Sequence, residues 1–411
     1  MKLAVKSLLN LKNILYMETS WKSPKIIIGK EATGNLYYLR TEIEIEIWEE
    51  IKKGNNILLA APRRVGKTSV MKSLAEQSNT EYKLIFKNIQ GIDEESVFYK
   101  TIYELILNCL CKSKRYKTQF ENYFKKIGIS EIFKDGIKIE RLDIDYLAEI
   151  NKLIPQLDAN GESIVLLIDE LPEVLYQLYK DGKESEANNI LKNLRYWRQQ
   201  KGFEKIQFVF AGSIGIHYVV GLIDKRPKDI NDLYEIHCPP LDDKKGEFEK
   251  YIAWITKGAT IKYNKKLTAY LKEKTAYFVP YFINLLIDKI DKTCRKNNQR
   301  EITVNDIDKA FSEVINNRNH FSDWKNRLKD YMPKDDFAFV NEVLTHTAHK
   351  DSISIQEIHN SAIKYDKKDC YMEFIADLEQ DGYLTKQNEK YIFISPFLKE
   401  FWKNDNPVIE K

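Results

Sequence analysis

The run Ala61-Pro-Arg-Arg-Val-Gly-Lys-Thr-Ser69 constrains this chain more than any other stretch. An apolar segment, Asn56 to Ala60, precedes it, and a helix-prone segment, Thr68 to Glu76, follows. Strand, tight loop and helix are the setting in which a Gly-Lys-Thr triplet means phosphate binding. The backbone N–H groups of such a loop form an anion cradle at the positive end of the helix. Pro62, Arg63, Arg64, Val65, Gly66, Lys67, Thr68 and Ser69 are therefore the candidate nucleotide-binding residues. Gly66 lets the backbone approach the phosphates, Lys67 reaches the β- and γ-phosphates, and the Thr68 hydroxyl is a candidate ligand of Mg²⁺. Ala61 stands where the first glycine of the pattern belongs, which predicts a loop entered with ordinary dihedrals.

A second element matches the first. In Ser163-Ile-Val-Leu-Leu-Ile-Asp-Glu-Leu-Pro-Glu173 the five consecutive apolar residues Ile164 to Ile168 predict a central parallel strand covered on both faces. Asp169 and Glu170 follow at its carboxyl end, where open α/β sheets bind ligands. Phosphoryl transfer needs one carboxylate on the metal side and one to orient and deprotonate water. Asp169 takes the metal role and Glu170 the base role. A further buried strand, Ile206 to Ala211, runs into Gly212 and Ser213. The Ser213 hydroxyl can serve as a γ-phosphate contact or as a helix N-cap. Other strands are predicted at Lys83 to Ile89 and Asp232 to His237, and a helical region of about eighty residues follows the first of them, broken near Gly128 and Gly136.

A length of 411 residues exceeds the roughly 250–300 at which single cores stop growing, so two or three domains are expected. The net charge of +4 exerts no global pull toward nucleic acid. Five scattered cysteines lack disulfide or metal spacing and read as core thiols of a reducing, cytoplasmic location. No apolar stretch approaches the roughly 20 residues of a membrane span. Lysines interrupt the first sixteen residues, excluding a signal-peptide core; Met17 is an alternative start, and the segment reads equally as an amphipathic arm.

The division expected is an N-terminal arm over 1–30, a nucleotide-binding core over 31–240, a helical lid over 241–330 and a further domain over 331–411. The last reads as three helices, then a hairpin turning across Lys386 to Glu389, the order of a winged helix-turn-helix.

These motifs, with the Ala-Gly-Ser strand end, resemble the archaeal-type ATPases of the STAND and AAA+-like branch of P-loop NTPases, over roughly residues 35–400. The resemblance implies an α/β core with a parallel sheet, in which one strand separates the Asp-Glu strand from the P-loop strand. It implies ATP as nucleotide, Mg²⁺ as metal held by Thr68 and Asp169, and ATP hydrolysis. Glu170, Ser213 as sensor and an arginine acting from a neighbouring subunit of a homo-oligomer form the implied catalytic set. Arg226 sits where such an arginine is placed, and Arg195 and Arg198 compete for the role. Nothing implied involves a membrane.

A winged helix invites DNA as partner. Residues 331–411, however, carry ten lysines and no arginine against fifteen acids, a net of −5. DNA affinity rests on phosphate neutralisation and base readout on Arg, Asn and Gln. The composition favours packing or docking of a protein partner, with an ATP-regulated DNA-binding protein as the alternative.

Overall fold

The computed structural model describes residues 21–77, 79–127, 129–132, 137–139, 144–157, 160–212, 215–224 and 227–407. Contacts divide the chain into two units, one of residues 39–238 and one of residues 1–38 with 239–411.

The first unit runs α1 (Thr41–Lys52), β1 (Ile57–Ala60), α2 (Lys67–Glu76), β2 (Tyr82–Asn88), α3 (Glu95–Lys112), α4 (Lys114–Gln119), α5 (Glu121–Ile127), β3 (Ile129–Ile132), β4 (Ile137–Ile139), α6 (Tyr146–Leu153), β5 (Ser163–Asp169), α7 (Leu171–Lys180), α8 (Glu184–Gln199), β6 (Ile206–Ala211), α9 (Ile216–Asp224) and β7 (Tyr234–His237). Five strands form one parallel sheet in the order β2-β5-β6-β1-β7. The strand carrying Asp169 is thus separated from the P-loop strand by β6, as expected.

The apolar runs explain the middle of the sheet. Ile164 to Ile168 are fully buried, as are Phe208 and Val209 in β6 and Ile57 in β1. Burying each such side chain contributes roughly 1.5–3 kcal/mol. On one side of the sheet α8 presents Ile190, Leu191, Leu194 and Trp197, and Trp197 stacks on Phe208 at 6.3 Å. The start of the sheet is tied by polar groups. Gln207, buried in β6, donates to the carbonyls of Ile51 and Asn55, and the Asn56 side chain accepts from the Phe208 N–H. The turn from α1 into β1 is thereby fastened to the neighbouring strand.

One local expectation changes. The region broken near Gly128 and Gly136 contains an antiparallel hairpin, β3 with β4. Its isoleucines at 129, 132, 137 and 139 include the period-two spacing of a strand, too short to outweigh helical neighbours. The strand through Asp169 stops there, and Leu-Pro-Glu belongs to α7, with Pro172 in its first turn.

The second unit begins with residues 21–28, which lie along its helices: Lys25 N–H donates to the Ile255 carbonyl, Thr260 N–H donates to the Lys22 carbonyl, and Lys22 N–H donates to the Thr260 hydroxyl. Its elements are α10 (Glu247–Ile255), α11 (Lys265–Thr275), α12 (Pro280–Lys296), α13 (Val304–Asn316), α14 (Ser322–Tyr331), α15 (Lys334–Lys350), β8 (Ile353–Ser354), α16 (Ile355–Lys364), α17 (Tyr371–Gln380), β9 (Leu384–Gln387), β10 (Lys390–Phe393) and α18 (Pro396–Asp405). Strands β8, β10 and β9 make a small antiparallel sheet. Three helices and then a hairpin is the order read from the sequence; the short strand β8 between the first two was not read there. The hairpin turns on Asn388 and Glu389, both with positive φ, as a two-residue primed turn demands. A Ser354–Glu357 capping box starts α16.

The boundary expected at residue 330 is bridged by aromatic packing. Phe282 of α12 stacks on Phe321, Trp324 and Phe397, so α12, α14 and α18 share one core. Four of the five cysteines are buried, and burial pushes the Cys109 thiol up to about 12. No described helix is long and apolar enough to cross a membrane.

Candidate functional site

The carboxyl ends of β1, β5 and β6 bring the sequence motifs together. The P-loop leaves β1 and enters α2 at Gly66, whose φ of 114° and ψ of 24° lie where only glycine is comfortable. Arg64 adopts a left-handed φ of 66°. Ala61 has no positive φ, so the loop is entered with ordinary dihedrals and the turn is made at Arg64 and Gly66 instead. Val65 between them is buried and anchors the loop to the core.

The Lys67 ammonium donates to the Ala61 carbonyl at 2.6 Å, lying back across its own loop. The Thr68 hydroxyl donates to Asp169 Oδ2 at 2.6 Å, joining the first turn of α2 to the tip of β5. Asp169 is 1% exposed. Burial raises its carboxyl above the usual range and Glu170 adds to the rise, while the Thr68 hydrogen bond and Lys67 pull against it without reversing it. A buried carboxylate so short of positive charge, beside a threonine hydroxyl, is a hard-oxygen donor pair of the kind that suits Mg²⁺.

Glu170 has the backbone of a strained hinge, with φ 66° and ψ 30°. Its N–H is held twice, by Ala211 O at 2.9 Å and by Asp169 Oδ1 at 3.1 Å. The chain then enters α7, whose Leu171, Val174, Leu175 and Leu178 are buried. Core packing of α7 therefore positions the acid that precedes it.

Ser213 and Arg226 lie outside the described residues. Of the two competing arginines, Arg198 is committed elsewhere. Its side chain is 2% exposed, and its guanidinium grips both carboxylate oxygens of Asp232 at 2.8 Å and the Asp229 carbonyl at 2.6 Å. Burial works to raise the Asp232 carboxyl, and the Arg198 hydrogen bonds and charge outweigh it and hold it below the usual range. Arg198 is a buried structural cation, not a group that reaches into another subunit. Arg195 contacts Asp229 at 3.5 Å and Gln199 at 3.2 Å.

Two site residues escaped the sequence reading. Gly212, just beyond β6, packs against Pro172 so closely that an added Cβ would stand 2.5 Å from Pro172 Cδ and 2.7 Å from Cγ. Asn88 ends β2 in register with Asp169. The signal for Gly212 was its place between an apolar strand and a helix start; Asn88 carried none.

A comparison with curated proteins found no match. The family model of the AAA-like domain matches residues 29–227. Among solved structures, a Walker-type ATPase of Pyrococcus abyssi is similar at 13% identity and a TM-score of 0.59, over 92% of this chain and 99% of that one. The ORC2 protein of Aeropyrum pernix, solved in ADPNP–ADP complexes, is similar at 10% identity and a TM-score of 0.50, over 92% of this chain and 95% of its own. At such identities the likeness is one of fold, and it agrees with the parallel sheet and with the P-loop, Thr68 and Asp169 at its carboxyl edge. Residues 29–227 match the AAA-like domain, and the chain shares its fold with both solved structures.

Proposed function

We propose that this chain binds ATP with Mg²⁺ at residues 62–69, hydrolyses it, and uses the nucleotide state as a switch. The observation that carries the reading is the Thr68–Asp169 hydrogen bond at 2.6 Å, which sets the P-loop helix and the acidic strand end at one point. A strand-terminal acid and a P-loop hydroxyl that touch are placed to hold one cation between them.

In this reading the α2 N-terminus and loop amides take the phosphates, with Gly66 leaving room for them. The Lys67 ammonium exchanges the Ala61 carbonyl for phosphate oxygens. Thr68 and Asp169 hold Mg²⁺, which when bound neutralises charge on the β- and γ-phosphates. Glu170 accepts a proton from water as the water oxygen bonds to the γ-phosphorus. The bond from that phosphorus to the β–γ bridging oxygen breaks, leaving ADP and phosphate. Ser213 is the γ-phosphate sensor and Arg226 the arginine offered to a neighbouring copy. Residues 239–411 carry the response, and the acidic segment 331–411 docks a protein partner.

Two variants divide binding from chemistry. Lys67→Ala should lose ATP affinity in a fluorescent-nucleotide titration. Glu170→Gln should retain that affinity while turnover falls on the order of 10²–10⁴-fold, the usual contribution of a positioned base. Undiminished hydrolysis in Glu170→Gln would refute the base assignment, and unchanged ATP affinity in Lys67→Ala would refute the site.

A further inference from the structure

The C-terminal segment is acidic, but the helices before it are not. Residues 241–330 hold nineteen lysines and arginines against thirteen acids, a net of +6. Many of these cations are paired: Lys272 with Glu249, Lys274 with Asp308, Lys292 with Asp288. The remainder are concentrated where three segments meet around Asp291 of α12.

The first segment is residues 21–25. Trp21 Nε1 donates to Asp291 Oδ1 at 3.0 Å and Ser23 Oγ to Asp291 Oδ2 at 2.7 Å, which uses both oxygens of that buried acid and leaves Lys22 and Lys25 exposed beside it. The second is the connection from α10 to α11. It is tied to the first through Thr260 and Lys22. Tyr263 fixes it to α12: burial first, then Cys294 and Asp291 nearby, raise its hydroxyl well above the usual range. Lys257, Lys262, Lys265 and Lys266 stand exposed along this connection. The third is the end of α12, where Arg295 and Lys296 are exposed and Gln299 folds back to bond Cys294 O, bringing Arg300 alongside. None of these nine cations pairs with a carboxylate among the described residues.

Helix stability accounts for only part of the arrangement. Arg295 and Lys296 complement the negative end of the α12 dipole. Lys265 and Lys266, however, open α11, where a helix favours acids, and its first turn contains none. Like charges are gathered here at a cost to the fold, which a polyanion would offset. The surface also lacks what other anionic partners need. Among the described residues, none of the large apolar side chains exposed to solvent lies on it, so nothing is available to insert into a bilayer or to stack on unpaired bases.

We propose that this basic surface binds the phosphate backbone of duplex DNA, with the helices of 241–330 and not the acidic segment 331–411 supplying the contacts. Binding of this kind is independent of base sequence and steeply salt-dependent. It is separable from the ATPase reading, because none of these residues belongs to the P-loop or the Asp169–Glu170 strand end.

The test uses the full chain and a fluorescent 30-base-pair duplex, titrated between 50 and 200 mM salt with and without ATP and Mg²⁺. With about five phosphates neutralised, affinity should fall several-hundred-fold across that range, since each contact contributes about 0.9 to the logarithmic slope. Lys262→Glu/Lys266→Glu/Arg295→Glu should weaken binding at least tenfold and reduce the slope by about 2 to 3, with basal ATP hydrolysis unchanged as the measure of an intact fold. The same residues changed to glutamine should give a smaller loss in the same direction. Lys368→Glu/Lys390→Glu/Lys403→Glu, in the acidic segment, should leave affinity within about twofold. The proposal is overturned if the first triple variant binds like the wild type, if the second loses as much as the first, or if no duplex is retained at 50 mM salt in either nucleotide state. Flotation with phosphatidylserine vesicles in the absence of duplex binding would likewise overturn it, assigning the surface to a membrane.

Discussion

Gly212→Ala is the most direct probe of how Glu170, the proposed base, is placed. The Cβ it adds would stand 2.5 Å from Pro172 Cδ and 2.7 Å from Cγ. An ordinary contact begins near 3.4 Å, so β6 and the first turn of α7 must part by about 0.9 Å. Proline cannot swing aside as a flexible side chain can, because its ring is closed onto the backbone. The displacement therefore passes to the chain around Leu171 and Pro172, and through it to Glu170, whose N–H is pinned to Ala211 on the same strand end. Overpacking of this sort typically costs 1–3 kcal/mol. A misplacement near 1 Å at a reacting group can cost about 10²-fold in rate. Gly212→Ala should thus lower the unfolding free energy by about 2 kcal/mol in urea titrations and reduce kcat by about 10²-fold. ATP affinity should stay within a few-fold, since the P-loop hangs from β1 and α2. A Gly212→Ala protein with wild-type stability and wild-type kcat would refute the argument that this contact sets the acid. Equal losses in affinity and kcat would show that the whole sheet edge had moved.

Asp377 of α17 yields a pH prediction: burial first, then the nearby Asp381 and Glu373, raise its carboxyl to about 6. The folded chain holds this proton more tightly than an unfolded carboxylate near 3.9, so the stability it contributes is present below about pH 4 and is lost as pH rises through about 6. Asp377→Asn should therefore gain about 3 kcal/mol relative to wild type at pH 7.5 and little at pH 4 in paired denaturation curves; a difference independent of pH would refute the assignment. At Glu170, whose φ is 66°, glycine removes a left-handed strain of about 1 kcal/mol or more, so Glu170→Gly should abolish turnover without the loss of stability usual when a partly buried side chain is removed. A clear drop in its melting temperature would count against strain at that hinge.

Much of the first unit was legible because its signals are redundant. Ile164 to Ile168 are apolar without alternation and lie at the centre of a parallel sheet, and Gly66, Lys67 and Thr68 were readable from type and spacing alone. The sheet order could be anticipated from resemblance, not from any residue. What escaped reading depends on contacts distant in sequence. The β3–β4 pair is seven strand residues amid helices, below the length at which period two can be told from chance. Arg198 and Asp232 are 34 positions apart, and only the fold reveals that one neutralises the other. Gly212 looks like any loop glycine until Pro172 is seen against it.

The site is built by moving constraint away from the residues that react. Lys67, Thr68 and Asp169 meet through hydrogen bonds that a nucleotide and its cation could replace one for one. The unfavourable backbone sits beside them, at Arg64 and Glu170, and is held by apolar anchors: Val65 within the loop, and Leu171, Val174 and Leu175 beneath the hinge. Strain of roughly 1–3 kcal/mol at each position persists only when the surroundings over-determine it. The ordering of Glu170 is therefore met by the folding of α7 and not by ligand binding. If Glu170 is the base proposed above, a backbone fixed in this way needs no rearrangement when water arrives, which is the geometric condition under which proton transfer is efficient. The same logic explains why alanine is tolerated at position 61. With the left-handed turn made at Arg64 and Gly66, the loop no longer needs glycine where it leaves β1, and the Ala61 carbonyl is left facing the one ammonium that must later let go of it.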